Sequence, residues 1–273
     1  MKARAVLFIL IMTISPLLSA CKGNEGGPKQ HEALLFGATY MTRNNPYFDV
    51  LNQGIEEVVV ANGDILLTRD PLQDQEKQNE QIIELIHEGI SMLFLNPVDW
   101  EAVSPALDAC KKAGVAVINV DTAVKDRDSV ISIIETDNYQ AGQICALDMM
   151  KRKKSANIVI LDNPIQMSIT YRSRGFTDAI AGNDNYRVVY RHAAAGEIEV
   201  ASKVMEEILR KNIDFDVILG GNDPTALGAL AALQQARREE GILIYGIDGS
   251  PDFKAILDMG YVTGIGSLVE IAI

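Results

Sequence analysis

The chain has 273 residues, 48% of them hydrophobic and 23% charged, with a formal net charge of -12. That length exceeds one small core and suits two lobes, and the composition is globular rather than disordered. The acidic balance repels phosphate backbones and anionic lipid, which argues against a nucleic-acid partner.

The first residues are a separate object. Lys2 and Arg4 give a positive start, and Ala5 to Leu18 is apolar apart from Thr13, Ser15 and Pro16. This is the pattern of a signal peptide, and it is short for a membrane-spanning helix, which needs about 20 apolar residues. Leu18-Ser19-Ala20-Cys21 resembles the bacterial lipobox, whose cysteine becomes the lipidated first residue of the mature protein. Residues 1–21 are therefore expected to be a lipoprotein signal ending in the lipidated Cys21, since acyl chains on one residue tether a soluble domain to a bilayer. Residues 22–31, with Gly23, Gly26, Gly27 and Pro28, read as a flexible tether.

Beyond residue 31, apolar strand candidates alternate with helical stretches. The strands are Leu34–Ala38, Ile65–Thr68, Met92–Leu95, Val115–Val120, Val130–Ile134, Ile158–Leu161, Val188–Tyr190, Val217–Leu219, Ile242–Ile247 and Val262–Ile265. Phe48, Leu51, Ile55, Val58 and Val59 share one helical face, as do Ile198, Ala201, Val204, Met205 and Ile208. Pro46, after Asn44-Asn45, suits the first turn of a helix, and Asp70-Pro71 is expected to do the same for the next. Short continuous apolar strands separated by helices predict parallel, doubly wound α/β sheets covered on both faces.

In such sheets ligands bind beyond the carboxyl ends of the strands. Leu95 is followed by Asn96, Val120 by Asp121, Leu161 by Asp162 and Asn163, Gly221 by Asn222 and Asp223, and Ile247 by Asp248. Carboxylates and planar amides suit sugar hydroxyls, because they accept in pairs or offer both donor and acceptor. The same residue types also cap helices and form turns, and Asp99 and Asp162 fit that role best. Tyr47 and Phe48 offer ring faces for a sugar's C–H side, with Phe48 also on the core stripe. Trp100 suits packing equally well.

Catalytic patterns are weak. His31, His87 and His192 are scattered without metal-ligand spacing, and no metal or cofactor is expected. There is no glycine-rich dinucleotide loop, Walker loop or serine elbow. With Cys21 assigned to lipid, Cys110 and Cys145 remain. Cys110 shares an apolar stripe with Val103, Ala106 and Leu107, so a buried thiol is expected rather than a disulfide.

Taken in order, Asn44-Asn45-Pro46-Tyr47-Phe48, Leu95-Asn96-Pro97, Val120-Asp121, Thr136-Asp137-Asn138, Arg172 ahead of Gly175-Phe176, Gly221-Asn222-Asp223 and Gly246-Ile247-Asp248-Gly249 resemble the type I periplasmic sugar-binding family. The resemblance runs from about Leu34 to Gly266. It implies two Rossmann-like lobes with parallel doubly wound sheets, joined by a multi-strand hinge: residues 32–135 plus 269–273 in the first lobe and 136–268 in the second. It implies hinge crossings near Thr136 and Leu268. It places Asn45, Tyr47, Asn96 and Asp121 on the first lobe's side of a ligand cleft and Arg172, Asn222 and Asp248 on the second's, with Phe48 and Asn138 as further ligand-binding candidates. Three departures argue against ribose itself: Thr122 stands where ribose binders carry an arginine, no stacking aromatic lies near Ala195–Glu197, and Ser267 or Leu268 replaces a glutamine.

The implied function is the extracytoplasmic solute-binding component of an ABC importer, a monomer that binds a small sugar or polyol, docks on permease subunits and meets the membrane through its lipid anchor only. The alternative is a sensor that presents the sugar to a chemoreceptor or histidine kinase. A repressor would need a basic DNA-binding helix pair where the secretion signal stands, and an enzyme would need a placed acid, base or nucleophile. Ser267 to Ile273 is apolar apart from Ser267 and Glu270 and lacks a helix stop signal. It reads as the stub of a truncated first lobe beside an uncovered apolar groove; a shorter homologue covered in another way is the alternative.

Overall fold

A computed structural model describes residues 32–259, of which 33–259 fall in one compact unit. The signal peptide, Cys21, the tether, His31, the strand expected at Val262–Ile265, the crossing near Leu268 and the stub at 269–273 lie outside the described residues.

The first sheet holds β1 (Leu35–Thr39), β2 (Ile65–Arg69), β3 (Met92–Leu95), β4 (Ala116–Val120) and β5 (Ser132–Ile134), all parallel, in the order β2-β1-β3-β4-β5. The second holds β6 (Ala156–Asp162), β7 (Tyr186–Ala193), β8 (Val217–Gly220) and β9 (Leu243–Tyr245), also parallel, in the order β7-β6-β8-β9. Every strand expected between residues 34 and 247 is present within a few residues. Between β5 and the second lobe the chain crosses once among the described residues, through Glu135 to Asp137.

Helices cover both faces of each sheet, as the apolar strands require. In the first lobe α1 (Pro46–Ala61) lies on one face, burying Phe48, Leu51, Ile55 and Val59. On the other face α2 (Gln75–Glu88) and α3 (Ser104–Ala113) bury Ile82, Leu85, Ala106, Leu107 and Cys110. In the second lobe α4 (Asn138–Arg152) and α5 (Met167–Ile180) pack on one face. There α6 (Ile198–Arg210), α7 (Asp223–Ala236) and α8 (Pro251–Asp258) cover the other.

Local chemistry sets the helix starts. Asn45 caps α1, its side chain accepting from Tyr47 N at 3.1 Å, and Pro46 opens the helix, where its missing N–H costs nothing. The next helix departs from expectation. Pro71 does not open α2; Asp74 caps it by accepting from Lys77 N at 3.0 Å. Leu72 and Gln73 both adopt positive φ, 57° and 64°, so the chain turns before the helix can begin.

Two face assignments also need correction. Val58 is 53% exposed and Ile198 42% exposed, because each sits at the edge of its stripe, while the rest of both stripes is buried. Val58 borders an apolar groove with Leu51, Ile55, Val59, Phe94, Val120 and Ile134 on the α1 face of the first sheet. Cys110 and Cys145 are free and buried in different lobes, and burial pushes their thiols up to about 11 and about 12. They are packing residues.

Candidate functional site

Both sheets reverse strand order beside their first strand, and loops that splay apart at such a point leave a crevice at the carboxyl ends. In the first lobe the crevice opens between β1 and β3, and in the second between β6 and β8. The two crevices face one another. The cleft between them is lined by Met41, Asn45, Tyr47, Phe48 and Asp121 from one lobe and by Gln166, Ser168, Ile169, Arg172, Asn222 and Asp248 from the other.

Asp121 follows the last residue of β4 with φ 65°, a left-handed conformation that costs a residue with a side chain about 1 kcal/mol or more. Its N–H donates to Ile134 O at 2.8 Å, and its Oδ2 accepts from Asn96 Nδ2 at 2.9 Å and Thr122 Oγ1 at 3.0 Å. Asn96 is fully buried; it also receives Met41 N at 3.1 Å and donates to Val120 O at 3.3 Å. Asn96 therefore stands behind the cleft wall and fixes both Asp121 and the loop after β1.

Arg172, from the middle of α5, is 5% exposed. Its Nη1 donates to Asp248 Oδ1 at 3.0 Å and Gly221 O at 2.9 Å, and its Nε to Asn138 Oδ1 at 2.8 Å. Asn138 thus also sits behind the wall, holding the guanidinium in place rather than lining the cleft. Close packing of α4 on α5 sets this geometry. A Cβ at Gly142 would stand 1.8 Å from Arg172 O, and one at Gly175 1.9 Å from Tyr139 O.

Asp248 follows β9 by three residues with φ 143°. Burial raises its carboxyl to about 7; the Asp223 and Asp121 charges add to this, and Arg172 opposes it. Burial likewise raises Asp121, against Arg172 and the Thr122 and Asn96 hydrogen bonds. Asp223 stands outside the lining, its Oδ2 accepting from Ser250 N at 2.7 Å.

Tyr47 and Phe48 meet edge to face at 5.3 Å, and Phe48 stacks on Tyr40 at 5.7 Å, so Phe48 serves core and cleft together. Asn45 lines the cleft with its Nδ2 unpaired among the described residues, a donor available to a ligand. Asn222 lines it too, but its oxygen caps α7 through Thr225 N at 3.0 Å and its Nδ2 donates to Gly196 O at 3.1 Å. Asp99 is a turn former, accepting from Glu101 N and Ala102 N, and Asp162 pairs with Arg191 at 3.5 Å. Trp100 packs, with the Lys125 ammonium 5.7 Å from its ring centre.

Met41, Gln166, Ser168 and Ile169 were not singled out in the sequence. Gln166 donates to Met41 Sδ at 2.9 Å, and Ser168 Oγ lies 2.8 Å from Thr122 Oγ1, so each bridges the lobes. The signal was there: Met41 follows the end of β1 by two residues, and Gln166, Ser168 and Ile169 follow the strand end Leu161-Asp162-Asn163, but three to six residues later than the position after the strand. At the cleft mouth Gln73 Nε2 donates to Glu197 Oε1, also between lobes.

A paired α/β architecture with a polar, aromatic-edged cleft defines an interlobe small-molecule binding protein. The chain belongs to the periplasmic binding protein domain family, which matches residues 36–268. It is 29% identical to the ribose import binding protein of Bacillus subtilis, over 91% of this chain and 82% of the relative. It is 30% identical to the ribose import binding protein of Salmonella typhimurium, over 80% and 73%. Among solved structures, an ABC transporter solute binding protein from Mycobacterium smegmatis with bound glycerol aligns with a TM-score of 0.73 at 29% identity, covering 80% of this chain and 76% of that one. A further solute binding protein, from Bacillus halodurans with bound myo-inositol, shares the fold with a TM-score of 0.79 at 19% identity, over 86% and 83%.

Proposed function

We propose that this protein is the solute-binding component of an ABC importer and that it holds a small sugar or polyol between its lobes without altering it. One observation carries the reading: a buried guanidinium, two carboxylates, an unpaired amide donor and two aromatic side chains converge on one interlobe cleft. Hydroxyls need that mixture of fixed donors and acceptors, and a sugar's C–H face needs the rings. The relatives named as ribose import proteins support import rather than sensing, so the docking partner is a permease rather than a chemoreceptor or kinase. Those relatives are named for binding and import, which supports a protein without catalysis.

The finer organisation follows the same reading. Residues 32–135 with 269–273 form one lobe and 136–268 the other, hinged near Thr136 and Leu268. The protein works as a monomer outside the cytoplasm, held to the cell membrane through lipid on Cys21. Replacing Cys21 by serine is expected to move it from the membrane fraction to the soluble one with ligand affinity unchanged.

The test is a thermal-shift screen of residues 32–273 against pentoses, hexoses, polyols and cyclitols, followed by small-angle scattering. A ligand at about 100 times its dissociation constant should stabilise the protein by about 2.7 kcal/mol. Scattering should show compaction as the lobes close. No stabilisation across the panel, or an unchanged radius with a saturating ligand, overturns the reading.

A further inference from the structure

The charge balance of the cleft points beyond neutral sugars. Among the described residues, the charged groups lining it are two carboxylates, Asp121 and Asp248, and one cation, Arg172. Arg172 directs its bonds to Asp248, Asn138 and Gly221. Among the described residues, Asp121 accepts side-chain hydrogen bonds from the neutral Asn96 and Thr122. A third carboxylate, Asp223, stands behind Asp248 and adds to its negative surroundings. Residues 260–273 contain no lysine, arginine or histidine, so that segment brings no compensating cation.

Asp121 is bonded to neutral donors and shares its one nearby cation, Arg172, with Asp248, so it is held at a cost, because dipoles replace water only in part. Two remedies exist: the group takes up a proton, or the ligand brings the missing positive charge. Burial moves Asp121 in the first direction, while Arg172 and its two hydrogen bonds resist. An ammonium supplies the second remedy directly. It has three donors where a hydroxyl has one, and its charge is stabilised by an aromatic face. Tyr47 lines the same cleft as Asp121, and its phenol is held in the protonated form by burial first and by the Asp121 and Asp248 charges after it.

Building on the sugar-binding reading above, we propose that the cleft selects a cationic polyol, an amino sugar or amino alcohol whose ammonium group is held by Asp121 beside Tyr47, over the neutral counterpart carrying a hydroxyl at that position. The remaining hydroxyls are then left to Arg172, Asp248 and Asn45.

Matched pairs test this by titration calorimetry near neutral pH: D-glucose against D-glucosamine, D-galactose against D-galactosamine, glycerol against serinol, and sorbitol against glucamine. The tightest binder should be an amine that binds at least ~10-fold more tightly than its hydroxyl partner, the scale of one charge-assisted hydrogen bond. Asp121→Asn should narrow that gap to about 2-fold by weakening the amine alone, since the amide keeps shape and loses charge. Neutral members that bind as tightly as the amines, or more tightly, overturn the selection and leave sugar binding intact. No binding by either series overturns both readings. A preference that survives in Asp121→Asn overturns the assignment to Asp121. The wild-type comparison is decisive whether or not the variant folds.

Discussion

Arg172 Nη1 lies 3.0 Å from Asp248 Oδ1, and the two side chains are 6% and 12% exposed, so a helix of the second lobe and the loop after β9 meet through an ion pair nearly shut off from water. Breaking one partner of such a pair strands the other charge. Above about pH 7, where Asp248 is ionised, Arg172→Ala should lower unfolding stability by about 3 kcal/mol or more, read as a lower denaturant midpoint at unchanged slope. Arg172→Lys should lose less, but it cannot serve Asp248, Asn138 and Gly221 at once. An Arg172→Ala protein as stable as wild type would show that the pair contributes nothing.

The same enclosure gives stability a pH dependence. Asp248's carboxyl is raised to about 7 from an ordinary 3.8, chiefly by burial. The folded chain therefore keeps a proton that the unfolded chain has released between these values. The contribution is full below the unfolded value and is lost as pH rises through the folded one. Between about pH 4 and pH 7 wild-type stability should fall more steeply with rising pH than that of Asp248→Asn. Denaturant midpoints measured at several pH values for both proteins check this, and parallel profiles would contradict it.

Binding and capping roles separate by mutation. Asp121→Ala should weaken ligand binding by about 2–4 kcal/mol, since it strips a cleft acceptor and leaves ligand donors unpaired. Asp99→Ala should leave affinity unchanged and cost about 1 kcal/mol of stability through its two turn hydrogen bonds. Calorimetric titration together with thermal melts separates the two effects, and the reverse pattern would mean that the cleft is drawn on the wrong residues.

Two glycines offer a paired test of packing. Gly142→Ala would drive a methyl into Arg172 O on the neighbouring helix, which should cost about 1–3 kcal/mol and weaken ligand binding by shifting that arginine. Gly54→Ala, within α1, meets nothing within 4 Å and should stabilise by about 0.5–1 kcal/mol through helix propensity. Equal melting temperatures for the two variants would remove the claim that α4 and α5 set the site by close approach.

Much of this was legible in the chain. Ile158–Leu161 and Val217–Leu219 announce buried parallel strands because continuous apolar runs are stable only when both faces are covered, and periodicity records burial directly. Asn45 before Pro46 marks a helix start because the cap is a local bargain between neighbouring residues. Where an outcome depended on contacts distant in sequence, the reading was weaker. Pro71 was expected to open a helix that begins at Gln75, since nothing local told of the two positive-φ residues between them. Asn96 and Asn138 were expected at the cleft wall and stand one layer behind it.

The sequence by itself determined the alternating β/α order, the stripes that bury each helix, and the end of the sheets where polar groups gather, because all three are written in spacing. Only the tertiary structure decided which of those groups line the cleft and which support it. Gln166, Ser168 and Ile169 reach the cleft from the lobe opposite Met41, and the Gln166–Met41 contact joins residues 125 apart in sequence. Arg172 meets Asp248 within the second lobe, and Asp121 joins them at one cleft only because the two sheets bring their switch points face to face. Charge balance in a cleft is a property of three-dimensional neighbours, so the one cation shared by Asp121 and Asp248 could not be read from a list of residues, however well ordered.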